Sequence, residues 1–303
     1  MADDAEDLIE RQRLRRRLVF WRLLTVAAVA VALVIAYGQL STSEIGDHVA
    51  VLKVSGVIEG DDRREATLDR IAGDDSVQAL IVRINSPGGT FVGGETLYLA
   101  LQRVAAEKPV VAVMDDVAAS AGYMIAMAGD HVIARQGTIT GSIGVIFPTT
   151  QVYEFFDEFG VTFENIKSDP LKANPTPFEE TLPAARDSMQ EMVDQLQVVF
   201  VSIVDAGRPK LDTAAIQQLA DGRVFSGVQA LENGLIDELG GDREARAWLM
   251  AEHDISDSLP AQDVKIDDDL PWYAEFLRET GKSVLPEPLT LDGLLALWQP
   301  DLQ

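Results

Sequence analysis

The chain has 303 residues, of which 47% are apolar, none is cysteine, and the formal net charge is −24. Length and apolar fraction suffice for one sizeable domain with appendages. The lack of cysteine excludes a disulfide framework, a thiolate nucleophile and cysteine-based zinc sites, while the acidity excludes non-specific attraction to nucleic acid or anionic lipid.

The charge is unevenly spread. Residues 1–22 hold six arginines against five acids, which leaves 44 acids against 19 Lys and Arg, a net −25, for the remainder. Leu23–Tyr37 (LLTVAAVAVALVIAY) carries no charge, and with Leu18–Trp21 ahead of it and Leu40 behind, residues 18–40 form an apolar span of roughly 20 residues, enough to cross a bilayer. Arg22 sits near its start, placed to snorkel to the interface. Arg11, Arg13, Arg15, Arg16 and Arg17 precede the span, so the positive-inside rule keeps tail 1–17 cytoplasmic and exports everything past residue 40. A cleaved signal peptide is the rival reading, but the exit AYGQLSTSEIG offers no small-x-small cleavage site. The segment reads as an uncleaved signal anchor.

After a polar linker at 41–48, VAVLKVSGVI is predicted as a valine-rich first strand. A short helix is expected around Ala66–Ala72, then QALIVRIN as a strand buried on both faces. A helix from about Gly93 to Ala106, a strand at KPVVAVM and a helix over Ser120–Ala128 follow. This alternation predicts α/β architecture with a largely parallel sheet. Met189, Met192, Val193, Leu196, Val199, Phe200 and Ile203 recur at helical spacing, which places the longest helix at Ala184–Ala206, its stripe serving the core or an oligomer contact. A further helix should begin after Asp212 as N-cap and end before the glycine of DGRVFSG. Residues 254–303 are acidic and proline-punctuated, with apolar clusters at Trp272–Leu277 and Leu289–Trp298 that suit packing on protein.

The chemistry concentrates in DDVAASAGYMIAMA at 115–128. Ser120 lies among alanines and glycine between a strand and a helix, where small neighbours let a substrate backbone approach its hydroxyl. Taken alone, such a serine is an ordinary helix N-cap. Some fifty residues later Lys172 closes IKSDPLK. A lysine can take the serine's proton only when burial holds it neutral, and that pairing is one variant of the serine triad. Adjacent glycines after a proline, Gly88 and Gly89, allow backbone N–H groups to turn outward at a strand end, as an oxyanion hole requires, although PGG alone is an ordinary turn. His48, His131 and His253 are too scattered in sequence to imply a metal site, and neither a phosphate loop nor a cofactor fingerprint appears.

Three blocks, INSPGGT (84–90), VAASAGYMIA (117–126) with TGSIGV (140–145), and DGRVFSGVQALENGLID (221–237), resemble the signal peptide peptidase A family of membrane-bound bacterial serine proteases. The resemblance covers 49 to about 241, fades past Arg246, and suits the short form with one protease domain (49–246) followed by an acidic extension (247–303). It implies the Clp protease/crotonase-like spiral of repeated β-β-α units. It places the nucleophile on Ser120, the general base on Lys172 with Lys167 as fallback, and oxyanion donors on the N–H groups of Gly89 and Ala121. Gly88 and Ser142 would support them, Ser142 by orienting the lysine, and Tyr123 would pack beside the nucleophile. In the family the lysine segment often reads lysine–serine–glycine–x–tyrosine–lysine; here it is KSDPLK, with Asp169 and Pro170 as departures. The resemblance further implies an inner-membrane endopeptidase with its catalytic domain outside the cytoplasm, acting on remnant signal peptides without a cofactor. It would assemble as a homo-oligomeric ring, an octamer in one form, whose neighbours share the dyad. A stomatin-clipping protease would bring further membrane helices, and a non-catalytic scaffold would have no need of an intact Ser120, Lys172 and glycine pair.

Overall fold

A computed structural model describes residues 17, 20–26, 28–29 and 46–266. The chain divides into two compact units after Asp47. In the first, the described residues from 17 to 29 are helical, with the Thr25 hydroxyl donating to Trp21 O at 2.8 Å. No helix among the described residues is long and apolar enough to cross a membrane; most of the span expected at 18–40, like the clusters at 272–277 and 289–298, lies outside them.

The second unit opens with β1 (His48–Ile58), α1 (Asp62–Gly73), β2 (Val77–Gly89), α2 (Phe91–Ala105) and β3 (Val110–Ala119), a strand–helix alternation that gives parallel pairs β1–β2 and β2–β3. Each helix starts on a side-chain cap. Asp61 accepts from Arg63 N–H at 3.1 Å, and Thr90 Oγ1 accepts from Gly93 N–H at 3.1 Å. Then come α3 (Ala121–Ala126), β4 (His131–Ala134), β5 (Ile139–Gly141), α4 (Tyr153–Glu158), α5 (Pro183–Gly207), α6 (Thr213–Leu219), β6 (Val224–Ser226), α7 (Gly227–Glu232), β7 (Glu238–Leu239), α8 (Asp242–His253) and β8 (Ala261–Asp263). The sheet runs β6-β5-β3-β2-β1-β8, with β4 on β3 and β7 on β4. Every pairing is parallel except β5–β6.

Strand residues alternate between faces, and the core divides accordingly. Leu52, Val54, Leu80, Val82, Ile84 and Met114 pack with α1, α2 and α3 on one face. Val49, Val51, Ile81, Val111, Val113 and Ile133 meet Ala245 and Leu249 of α8 on the other. Both faces are covered, so the central strands read as continuous apolar runs. The packing continues past Arg246, since α8 runs across that residue and β8 pairs with β1.

Two strands run past their apolar signal. β2 continues through SPGG because its ladders slip between Ser55 and Val57 and between Ile84 and Ser86, so the donor that Pro87 lacks falls in an irregular stretch. β3 continues through DDVAA because Arg83 Nη2 donates to both Asp115 oxygens, at 2.8 and 2.9 Å, and Thr138 Oγ1 donates to Asp115 O at 2.6 Å. The long helix falls where its stripe predicts. Phe200, Ile203 and Val204 are in the core, while Met192 and Val199 stay exposed on a single chain.

Candidate active site

The carboxyl ends of β2, β3 and β5 meet at one edge of the sheet, the edge where open parallel sheets bind ligands. β3 ends at Ala119 and α3 begins at Ala121, leaving Ser120 alone in the turn with φ 54° and ψ −119°. A left-handed φ is strained for any residue with a Cβ. Two backbone anchors hold it there: Ser120 N–H donates to Gly141 O at 2.9 Å, and Ser120 O accepts from Tyr123 and Met124 N–H, both at 2.9 Å. Its hydroxyl makes no capping bond and is partly exposed. The serine expected as the first residue of a helix is therefore a strained corner, and the ordinary N-cap reading fails. Ala121 opens α3, so its N–H has no acceptor within the helix.

The glycines of β2 face this corner. Gly88 has φ +123°, and a Cβ on it would stand 2.9 Å from Ser120 Cβ. A Cβ on Gly89 would lie 1.9 Å from Ile58 O, so only glycine fits beside β1. The two amides are used differently. Gly88 N–H donates to Ser86 Oγ at 3.1 Å. Thr90 N–H donates to Ile58 O at 2.9 Å, and Ile58 is the register partner of Gly89. The bond from this stretch to Ile58 O is thus made by Thr90 N–H and not by Gly89 N–H.

Ser142, just past β5, is also strained at φ 52°, with its N–H on Arg223 O at 2.8 Å. The ladder sets Gly141 opposite Ala119, which brings Ser142 to the same strand end as Ser120. Tyr123 is fully buried and donates its hydroxyl to Leu235 O at 2.8 Å. Burial pushes that phenol well above its usual range, so it stays protonated.

Lys172 shares none of these contacts. It lies on the run between α4 and α5, exposed and with no ion pair among the described residues, and is followed by Ala173 at φ 55°. Lys167 is half-buried and paired with Glu179, whose carboxyl that ammonium and Asn165 hold below its ordinary range. Among the described residues, the four non-glycine residues at positive φ are Ser120, Ser142, Ala173 and the α8 C-cap Asp254, so three of them are candidate site residues or adjoin one.

The histidines are less scattered than their spacing suggests. His131 stacks on Trp248 (5.0 Å, 8°), and Trp248 also meets His253 (4.9 Å). Only tertiary structure joins them. Ser86, fully buried with its hydroxyl on Gly88, also went unnoticed as more than a letter of NSPGG; a buried serine between bulges leaves no periodic signal.

Fold and site thus define an α/β protein with a strained serine packed against a glycine at the carboxyl edge of a parallel sheet. Residues 102–256 match peptidase family S49. A putative protease of Synechocystis sp. is 40% identical over 202 residues, 66% of this chain and 72% of that protein. A putative signal peptide peptidase of Enterococcus faecium is 34% identical over 63% of this chain and 56% of its own, and protease 4 of Haemophilus influenzae 35% identical over 68% and 35%. The match therefore spans little more than half of the second relative and about a third of the third. A solved membrane-bound stomatin-specific protease aligns over 73% of this chain and 99% of its own at 15% identity and TM-score 0.49, too slight a likeness to bear on function. The chain belongs to peptidase family S49, and its class is serine-type peptidase.

Proposed function

We propose that the chain is a membrane-anchored endopeptidase in which Ser120 is the nucleophile and Lys172 the general base, acting on remnant signal peptides and similar apolar peptides. The observation that carries this reading is the strained Ser120 corner, whose hydroxyl makes no capping bond and beside which only a glycine fits at position 88. Strain of this kind persists only where the surroundings over-determine it. A relative named as a signal peptide peptidase supports the substrate class.

In the proposed reaction Ser120 Oγ attacks the scissile carbonyl carbon as its proton passes to a neutral Lys172 Nζ. The C–O bond forms, and the carbonyl oxygen becomes an oxyanion held by the N–H groups of Gly89 and Ala121. Collapse breaks the C–N bond, and the lysine proton goes to the leaving amine. Water then attacks the acyl ester, giving its proton to Nζ, and the acid product leaves as Ser120 recovers its own. No cofactor enters.

A lysine serves as a base only when burial away from water holds it neutral. Lys172 is exposed on a single chain, so the base must be buried by something else. A neighbouring copy in a homo-oligomeric ring supplies that burial in this reading, with serine and lysine drawn from different protomers. The apolar span at 18–40 anchors the chain in the bacterial inner membrane with its N-terminus cytoplasmic and the site outside. The test is hydrolysis of an unfolded apolar-rich peptide by the detergent-purified full chain, beside Ser120→Ala and Lys172→Ala. Loss of activity in both still-assembled variants supports the dyad; full activity in Lys172→Ala moves the base to Lys167; an inactive parent ends the reading.

A further inference from the structure

Ser86 has no part in the proposed reaction, yet it is 0% exposed. Its Oγ accepts Gly88 N–H at 3.1 Å and donates to Gly88 O at 3.1 Å, so one hydroxyl grips both polar groups of a single residue. Its backbone touches the other half of the site: a Cβ on Gly122 would stand 2.9 Å from Ser86 O, which seats α3 closely against β2. Ser86 also pairs in register with Ala118, two residues before the nucleophile. It therefore stands between the glycine strand and the turn that carries Ser120.

The sheet alone holds this stretch poorly. The ladder slips on both sides of it, and Pro87 contributes no N–H. Gly88, at φ +123°, has no side chain to pack and lies in a region glycine crosses freely. Without the hydroxyl, the peptides on either side of Gly88 could swing about its φ and ψ and carry Gly89 N–H off its line. An oxyanion donor acts only when it is fixed beforehand.

We propose that Ser86 is a positioning residue whose hydroxyl locks Gly88 so that Gly89 N–H is aimed at the carbonyl oxygen of a peptide held over Ser120. The proposal rests on the reading of Ser120 as nucleophile. It also separates the two glycines. The Gly88 amide is committed to Ser86, and the Gly89 amide is the one left for substrate.

The test uses the full chain with Ser86→Ala, which fits the same space, and Ser86→Thr, which keeps the hydroxyl. Two measurements are made: steady-state hydrolysis of an apolar-rich peptide, and amide hydrogen exchange over residues 84–90. In Ser86→Ala we expect kcat to fall about 10- to 100-fold, less than the 10²–10³ typical of deleting a donor outright, with KM held within about twofold. Exchange at the glycines should quicken at least about tenfold, and Ser86→Thr should recover part of kcat and most of the protection. A Ser86→Ala enzyme with parental kcat, with unchanged exchange, or with its loss confined to KM overturns the proposal while leaving Ser120 as nucleophile. A parent that hydrolyses no peptide overturns the Ser120 reading and the positioning role with it, whatever the exchange shows.

Discussion

Gly88 and Ser120 stand so close that a methyl on Gly88 would lie 2.9 Å from Ser120 Cβ and 3.3 Å from its Oγ. The contact joins the end of β2 to the turn that follows β3. Gly88→Ala therefore meets two penalties, the clash and a φ of +123° that side chains rarely adopt. Core residues Ala118, Ala121 and Tyr123 adjoin this corner, so the variant should also lose stability, by about 1–3 kcal/mol. Peptidase activity should fall at least about 100-fold, the scale of a lost oxyanion donor. Assay and thermal melt together check this; parental activity in a folded variant would show that the corner tolerates displacement.

Much of this edge was legible in the sequence. The valine-rich runs gave the strands, and Asp212 is the cap it was expected to be, accepting Ala215 N–H at 2.6 Å. The conformation of Ser120 was not legible, because a serine between strand and helix reads as an N-cap and only the fixed positions of Gly141 and Gly88 force φ positive. The strand ends at Gly89 and Ala119 were missed for a related reason. Bulges and the Arg83–Asp115 pair extend strands through residues that propensity assigns to turns. Lys172 was named from its place in KSDPLK, and on the single chain it lies exposed on the run between α4 and α5.

If the dyad is shared between protomers, two dead variants should revive each other. A ring mixed at random from Ser120→Ala and Lys172→Ala chains pairs an intact serine with an intact lysine at about a quarter of its interfaces. Mixing after dissociation and reassembly should thus restore about a quarter of parental activity. A dyad within one chain restores none. The measurement is peptide hydrolysis across mixing ratios, and a maximum near equal amounts is the expected signature.

Arg208 is buried and donates to Asp237 Oδ2 at 2.8 Å, and the same oxygen accepts Val132 N–H at 2.9 Å. Burial by itself would raise the Asp237 carboxyl, but Arg208, the Val132 amide and nearby His131 outweigh it and hold it below its ordinary range. A carboxyl lowered on folding contributes stability that is fully present above the unfolded value of about 3.9 and lost as pH falls through the folded one. Asp237→Asn leaves the buried guanidinium without its anion and should cost about 3 kcal/mol near neutral pH. Its stability should also decline less than the parent's between about pH 4 and 2. Denaturant melts at several pH values check both, and parallel curves would remove Asp237 from the acid response.

The connections on either side of α4, the second of which carries Lys172, are unusually apolar for a surface. Ile146, Phe159 and Ile166 are 84%, 69% and 99% exposed, beside a cluster in which Phe156 touches Phe155, Phe163 and Phe178. Monomeric proteins rarely expose contiguous apolar patches beyond a few hundred Å². Under the proposed ring, a neighbouring copy seated on these side chains would be the cover. Ile166→Asp adds a charge at a position that touches little of its own chain, so the protomer should keep its thermal stability to within about 0.5 kcal/mol. Self-association should weaken, and activity should fall with it, recovering as protein concentration rises. Sedimentation in detergent alongside the peptide assay would read both. Loss of activity with assembly intact would instead put Ile166 in the substrate groove, and no change in either would show that this part of the run faces solvent in the working enzyme.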